Sequence, residues 1–270
     1  MASRARVGAA ARGVWSTRPV SELEFHAAVV QGVFVVAVLT ALALLFVSAP
    51  YGRHARGGWG PKMDTRLAWM VMEAPSSLWF LAVFLAGANA WSVAPLVLLA
   101  AWQAHYFQRA FLFPLKLRPG GATPVTVVAM GFAFNLVNGY VNARWISHLG
   151  EYPAGWLMDP RLWIGLGLFA LGYKINRWAD AVLAGLRRPG ETGYKIPRGG
   201  LYELISCPNY FGELLEWLGW AIATWSVAGL SFAVFTAANL VPRALTHHRW
   251  YREKFPEYPR SRRAVVPFVL

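Results

Sequence analysis

The chain is poor in cysteine, in acidic residues and in charge altogether. Its one cysteine, Cys207, excludes an internal disulfide and any cysteine-rich metal cluster. Charged residues make up 14% of the 270 positions, against roughly 25% in an ordinary soluble domain, which argues against a water-soluble protein. The alternation of a transmembrane β-barrel is missing from the apolar stretches. The first 20 residues lack the apolar core of a cleavable signal peptide and are expected to form a basic, disordered arm.

What the chain has instead is long apolar runs. Residues 27–50 carry no charge, 67–108 only Glu73, 122–143 none, and 214–241 only Glu216. Runs beyond about 18 residues are membrane-span candidates, because lipid offers the backbone no partner and a helix satisfies itself. The expected fold class is all-α, a polytopic membrane protein of about seven transmembrane helices. The spans are placed near 27–48, 67–86, 90–113, 124–146, 160–183, 209–226 and 229–249, in one domain covering 21–270.

A net charge of +13 would suggest nucleic acid in a soluble protein, but the cations follow the spans. The loops after spans one, three and five and the C-terminal tail hold most of them: Arg53, Arg56, Lys62, Arg66, Lys116, Arg118, Arg187, Arg188, Lys195, Arg198, and all those from Arg243 to Arg263. The positive-inside rule then puts the C-terminus in the cytosol and makes a lipid bilayer, not nucleic acid, the partner.

Polar residues inside apolar helices are costly and mark function or interhelical bonding. Glu73 stands two residues before Pro75, which breaks the helical ladder and opens a polar niche. His105, Tyr106 and Arg109 share one helical face, reading either as a cavity wall or as a structural hydrogen-bond cluster. Asn135, Asn138 and Asn142 read as interhelical bonding without chemistry. Asn176 and Asp180 are one turn apart, suited to an amide or ribose hydroxyls or else to capping. Asn209 and Glu213 repeat that spacing, with Glu216 extending the strip. Gly165, Gly167 and Gly172 indicate close helix packing rather than a dinucleotide fingerprint, since no strand precedes them. Arg243, His247 and Tyr251 fall within roughly 80° of one another on the last span. The His247-His248 pair lacks a third ligand, so no metal is expected.

The central polar stretch, RRPGETGYKIPRGGLYELISCPNYFGE from Arg187 to Glu213, combines cations, three tyrosines and paired glycines. Its bare backbone and positive charge suit a large anionic ligand carrying a heterocycle, or else anionic lipid headgroups. The segment from Phe255 to Phe268 reads as an interfacial tail.

Taken together, these motifs resemble the steroid 5α-reductase family. They are Tyr-Gly-Arg-His at 51–54, Glu-x-Pro at 73–75, His-Tyr-Phe-x-Arg at 105–109, Asn-x-x-x-Asp at 176–180, the central loop, Pro-Asn-Tyr-Phe-Gly-Glu-x-x-Glu-Trp at 208–217, Arg-Ala-x-x-His-His-Arg-Trp-Tyr at 243–251 and the Pro-Phe ending. The resemblance implies a seven-helix enzyme that reduces the C4–C5 double bond of 3-oxo-Δ4-steroids with NADPH. It implies Glu73 and Tyr106 as catalytic donors to the ketone, and a steroid or other apolar enone as substrate. It further implies NADPH contacts from Tyr51, His105, Arg109, Asn176, Asp180, Arg187, Tyr194, Lys195, Asn209, Glu213, Arg243, His247 and Tyr251, in a monomer. Two positions depart from the family pattern: Met72 replaces the Gln before the catalytic Glu, and Lys195 replaces an Arg. The rival reading is an integral-membrane methyltransferase using S-adenosylmethionine, which shares a similar loop and C-terminal helix. A lipid or sterol transporter is a further alternative, against which stands the lack of an internal repeat.

Overall fold

The computed structural model describes residues 20–50, 52–54, 56–188 and 190–270. The basic arm expected over 1–20 lies, but for Val20, outside them, as does Tyr51.

Among the described residues, seven long α-helices and one short one make up most of the fold. They are α1 Glu22–Phe46, α2 Thr65–Leu85, α3 Val93–Phe107, α4 Phe113–Lys116, α5 Val125–Arg144, α6 Pro160–Gly185, α7 Pro208–Thr224 and α8 Val227–Lys254. The seven long ones lie in order where the seven spans were expected. Among the described residues four stretches are each long and apolar enough to cross a bilayer by themselves: α1, α2, α5 with its extension to Leu149, and α8. The third expected span is not one α-helix. A π-helical turn over Gln108–Leu112 joins α3 to α4 and carries Arg109; such turns concentrate at functional sites. A two-stranded ribbon, β1 Lys62–Asp64 against β2 Ala122–Pro124, ties the loop before α2 to the loop before α5.

Local chemistry starts the helices where they start. Ser21 and Glu24 form a reciprocal capping box on α1, and Asp64, Asp159 and Ser226 cap α2, α6 and α8 through their side chains. The buried core is strongly aromatic. Trp102 stacks on Phe80 at 4.3 Å and leans on Trp217 and Trp220, and its indole N–H donates to the Ser76 carbonyl at 2.6 Å.

The closest helix pairing is α6 with α7, antiparallel and nearly backbone to backbone. A Cβ on Gly172 would collide with the Glu216 amide and the Gly212 carbonyl, and one on Gly165 with the Ala223 amide and Gly219 carbonyl. Gly167, expected in the same contact, faces open space. The glycines at 165 and 172 share a face after seven residues, whereas 167 is rotated off it.

The C-terminal segment, expected as an interfacial tail, is tied to the central loop. Arg262 is buried at 1% exposure and donates to the Pro197 carbonyl and to Glu203. Backbone bonds from Ser206 and Cys207 to Arg263 and Ala264 continue the tie. The tail therefore clamps the central loop.

Candidate active site

Because successive helices alternate in direction, the ends of α1, α4, α6 and α8 and the starts of α2, α5 and α7 meet at one end of the bundle. A cavity of about 550 Å³ opens there and runs inward between α2, α3, α5, α7 and α8. Glu73 lies eight residues inside the start of α2, about 12 Å deep at 1.5 Å per residue. The cavity has two zones. Its inner part is walled by Met72, Glu73, Tyr106, Phe134, Trp217 and Phe232; its mouth is walled by Arg53, Arg187, Tyr194, Arg243 and His247.

Tyr106 is 4% exposed and packs its ring against Trp102 and Trp217, which fixes the direction of the phenol. Glu73 is bonded by Asn135 of α5, whose amide nitrogen lies 3.3 Å from Oε2 and 2.7 Å from the Met72 carbonyl. Asn142 keeps the interhelical role expected of all three asparagines, accepting from the Trp220 indole at 2.8 Å. Asn135 also bonds between helices, to the Met72 carbonyl, and reaches the Glu73 carboxyl besides, which the sequence reading did not expect.

His105 and Glu216 form a buried pair, Nδ1 to Oε1 at 2.7 Å, with Glu216 at 0% exposure. Arg109 meets Asp180 at 3.4 Å and lies over the rings of Trp69 and Phe113. Asp180 takes a second bond from the Asn209 amide at 3.2 Å. Asn176 donates to the Asn209 carbonyl at 3.0 Å and stands 3.5 Å from Glu213 Oε2. This α6–α7 network follows from the glycine contact, since only bare backbones let such short side chains meet.

The mouth is cationic and aromatic. Arg53 lies over Tyr194, Trp250 and Tyr251, and its Nη1 is a buried donor without a hydrogen-bond partner among the described residues. His247 bridges His54 at 3.1 Å and Tyr210 at 3.2 Å. Burial, followed by the charges of Arg53, Arg243 and Arg56, pushes His54 below the ordinary histidine range. Arg187 donates to the Gly193 carbonyl and lies over Tyr194.

Of the residues expected around a cofactor, His105, Arg109, Asp180, Arg187, Tyr194, Asn209, Glu213, Arg243 and His247 line this cavity together with Glu73 and Tyr106. Three described ones do not. Asn176 stands behind Asn209 and Glu213, and Tyr251 stands behind Arg53, stacked on Tyr258 at 5.2 Å. Lys195 points to the outer surface and pairs with Glu191 at 2.6 Å. The paired glycines Gly199 and Gly200 do not offer backbone to a ligand either. They adopt left-handed φ of +88° and +50°, turn the loop, and seat it on the Trp178 ring. Arg53, His54, Asn135 and Tyr210 are among the polar cavity residues that the expected site left out; Arg53, His54 and Tyr210 were within reach, lying inside motifs already singled out. Among the described residues no group of three or more His, Cys, Asp or Glu is arranged to hold a metal.

Residues 121–270 match the family model described as 3-oxo-5-alpha-steroid 4-dehydrogenase. The steroid 5-alpha-reductase DET2 of Gossypium hirsutum is 46% identical over 242 residues, covering 87% of this chain and 94% of that protein. The 3-oxo-5-alpha-steroid 4-dehydrogenase 1 of Rattus norvegicus is 43% identical over 87% of this chain and 91% of its own length. That of Bos taurus is 45% identical over 86% and 92%. The chain belongs to the 3-oxo-5-alpha-steroid 4-dehydrogenase family. Membership sets aside the methyltransferase and transporter readings and makes this chain an oxidoreductase of a polytopic membrane family.

Proposed function

We propose that this chain reduces the C4–C5 double bond of a 3-oxo-Δ4-steroid with NADPH. The observation that carries the proposal is one cavity holding a carboxyl and a phenol at its apolar inner end and three arginines at its mouth. An apolar enone fits the first zone and a polyphosphate the second.

The donor set supports the reductant. Arg53 brings an unpartnered buried N–H, and guanidinium groups make short, charge-assisted bonds to phosphate oxygens. Arg187 and Arg243 stand beside it, with Tyr194 and the His54–His247–Tyr210 chain offering flat faces and ring nitrogens. Asn209 and Glu213 are held by α6 at the depth where the cofactor's amide end would lie. Reduced nicotinamide, when bound, would supply a hydride to C5 of the steroid, and a proton taken up at C4, ultimately from water, would complete the addition of two hydrogens. What the chain contributes is position and polarity. Attack at C5 moves negative charge to the C3 oxygen, so donors waiting there stabilise the transition state more than the ground state. Glu73, as the acid, and Tyr106 are those donors. Arg109 and Asp180 bind each other across the cavity wall, which keeps both charges compensated in an apolar surrounding. Trp217, Phe232 and Phe134 exclude water from the reacting carbons.

The cationic mouth and the positive-inside rule support a cytosolic cofactor site and C-terminus. The working unit in this reading is a monomer. Residues 21–270 act as one domain in this reading.

Purified protein incubated with NADPH and testosterone should give a product heavier by two hydrogens. NADPH should also raise the thermal midpoint, and S-adenosylmethionine should not. No reduced product in the presence of a bound, stabilising NADPH would reject the substrate assignment, and stabilisation by S-adenosylmethionine alone would reject the reductase.

A further inference from the structure

Asn135 sits on α5, 6% exposed, and its side chain makes two contacts to α2. The first, at 2.7 Å, is to the carbonyl oxygen of Met72. A carbonyl oxygen only accepts, so the atom facing it is the amide nitrogen and the amide cannot be turned over. The second contact, at 3.3 Å, runs from the same nitrogen to Oε2 of Glu73. An amide nitrogen carries two hydrogens, and each has one acceptor here. Among the described residues no hydrogen bond engages Oε1 of Glu73.

The place where this happens is not arbitrary. Pro75 lies inside α2 and supplies no N–H to the ladder. Over the same stretch, three α2 carbonyls accept side-chain donors from neighbouring helices: Met72 from Asn135, Ser76 from Trp102 and Ser77 from Gln103. The backbone that carries Glu73 is therefore fixed from outside its own helix.

We propose that Asn135 is a positioning residue of the reduction, holding Glu73 Oε2 as an acceptor so that the carboxyl proton resides on Oε1, directed at the substrate's ketone. The proposal rests on the reading of Glu73 as a donor to the C3 oxygen. A neutral carboxyl has one hydrogen and two oxygens, and without a fixed donor opposite Oε2 that hydrogen is shared between two orientations, one of them unproductive. Met72 sharpens the need. The thioether at that position has no donor to offer the carboxyl. Its side chain lies over Gly131, where a Cβ would overlap it, so the neighbouring position contributes bulk and not orientation.

The test is a double-mutant cycle on the complete chain. Asn135→Ala should lower kcat for a 3-oxo-Δ4-steroid about tenfold, the size of one oriented hydrogen bond, with NADPH affinity unchanged. Asn135→Asp, nearly the same shape, has at most one hydrogen to give and cannot serve both acceptors; it should lose a similar factor and guards against a packing defect in the alanine variant. In a Glu73→Ala background, where no carboxyl remains to orient, Asn135→Ala should change residual turnover less than twofold. Thermal midpoints with and without NADPH provide the second readout and should stay within a few degrees of the parent. An equal loss in both backgrounds would overturn the proposal and leave Asn135 as a tie between α2 and α5. Native turnover in both Asn135 variants would overturn it as well. If Glu73→Ala itself left turnover unchanged, the reading of Glu73 would fall, and this proposal with it.

Discussion

Helix α1 and the α6–α7 pair are opposites in how they belong to a membrane protein. α1 has a mean hydropathy of 2.6 with only 17% of its span buried inside the molecule. Its apolar side chains, such as Val38 and Leu39 at 59% exposure, face outward. α7 is 17 residues long, and α6 carries Arg161, Lys174, Arg177 and Asp180. Neither qualifies as a span by length and composition, yet together they hold Asn176, Asp180, Asn209, Glu213 and Glu216. The strongest hydropathy signal thus marks the helix that lipid touches. Two helices that fall short of a span by length and composition hold much of the candidate site, because polar groups tolerated in a membrane interior are those that turn toward one another.

The comparison can be broken most sharply at the glycine contact. Gly172→Leu should cost about 3 kcal/mol or more, since the new side chain meets backbone and not a movable side chain. The measurement is the thermal midpoint in detergent together with the loss of NADPH-dependent stabilisation; a normal midpoint would mean the two helices tolerate separation. Next in size is Glu73→Gln, expected to lower turnover on the order of 10²-fold while NADPH affinity is kept. Unchanged turnover would remove Glu73 from the chemistry and leave the inner zone merely apolar. Arg53→Ala should weaken NADPH about tenfold by titration, because a charged donor to phosphate is lost, and Arg187→Ala should act in the same direction. Lys195→Ala should change NADPH affinity less than twofold, given its outward pairing with Glu191. A larger effect would show that this loop closes over the cofactor. Smallest of all, Val38→Ala on the outer face of α1 should shift stability by no more than about 0.5 kcal/mol.

Much of the site was legible because its chemistry is written in short spacings. His105, Tyr106 and Arg109 fall on one face by helical geometry, and all three reach the cavity despite the π turn that begins at Gln108. Asn176 was legible as a residue of the site but not in its part, since spacing along α6 cannot tell a side chain that faces a cavity from one that faces the next helix. Lys195 was grouped with the other cations because charge is visible in sequence and direction is not. The tail from Phe255 onward looked interfacial by composition; what buried Arg262 was the distant Pro197 carbonyl and Glu203, which no local pattern announces.

By itself the sequence determined that the chain lives in a bilayer, that its helices are of one class, and which polar residues could afford to be there, since hydrophobic burial and backbone satisfaction act locally along each run. The tertiary structure alone decided which of those residues meet. Whether Asn135 finds Glu73 or another asparagine, and whether Arg53 faces lipid headgroups or a cavity, depends on how closely helices approach and how they are rotated. That is set by contacts between positions far apart in the chain, above all the bare backbones of α6 and α7.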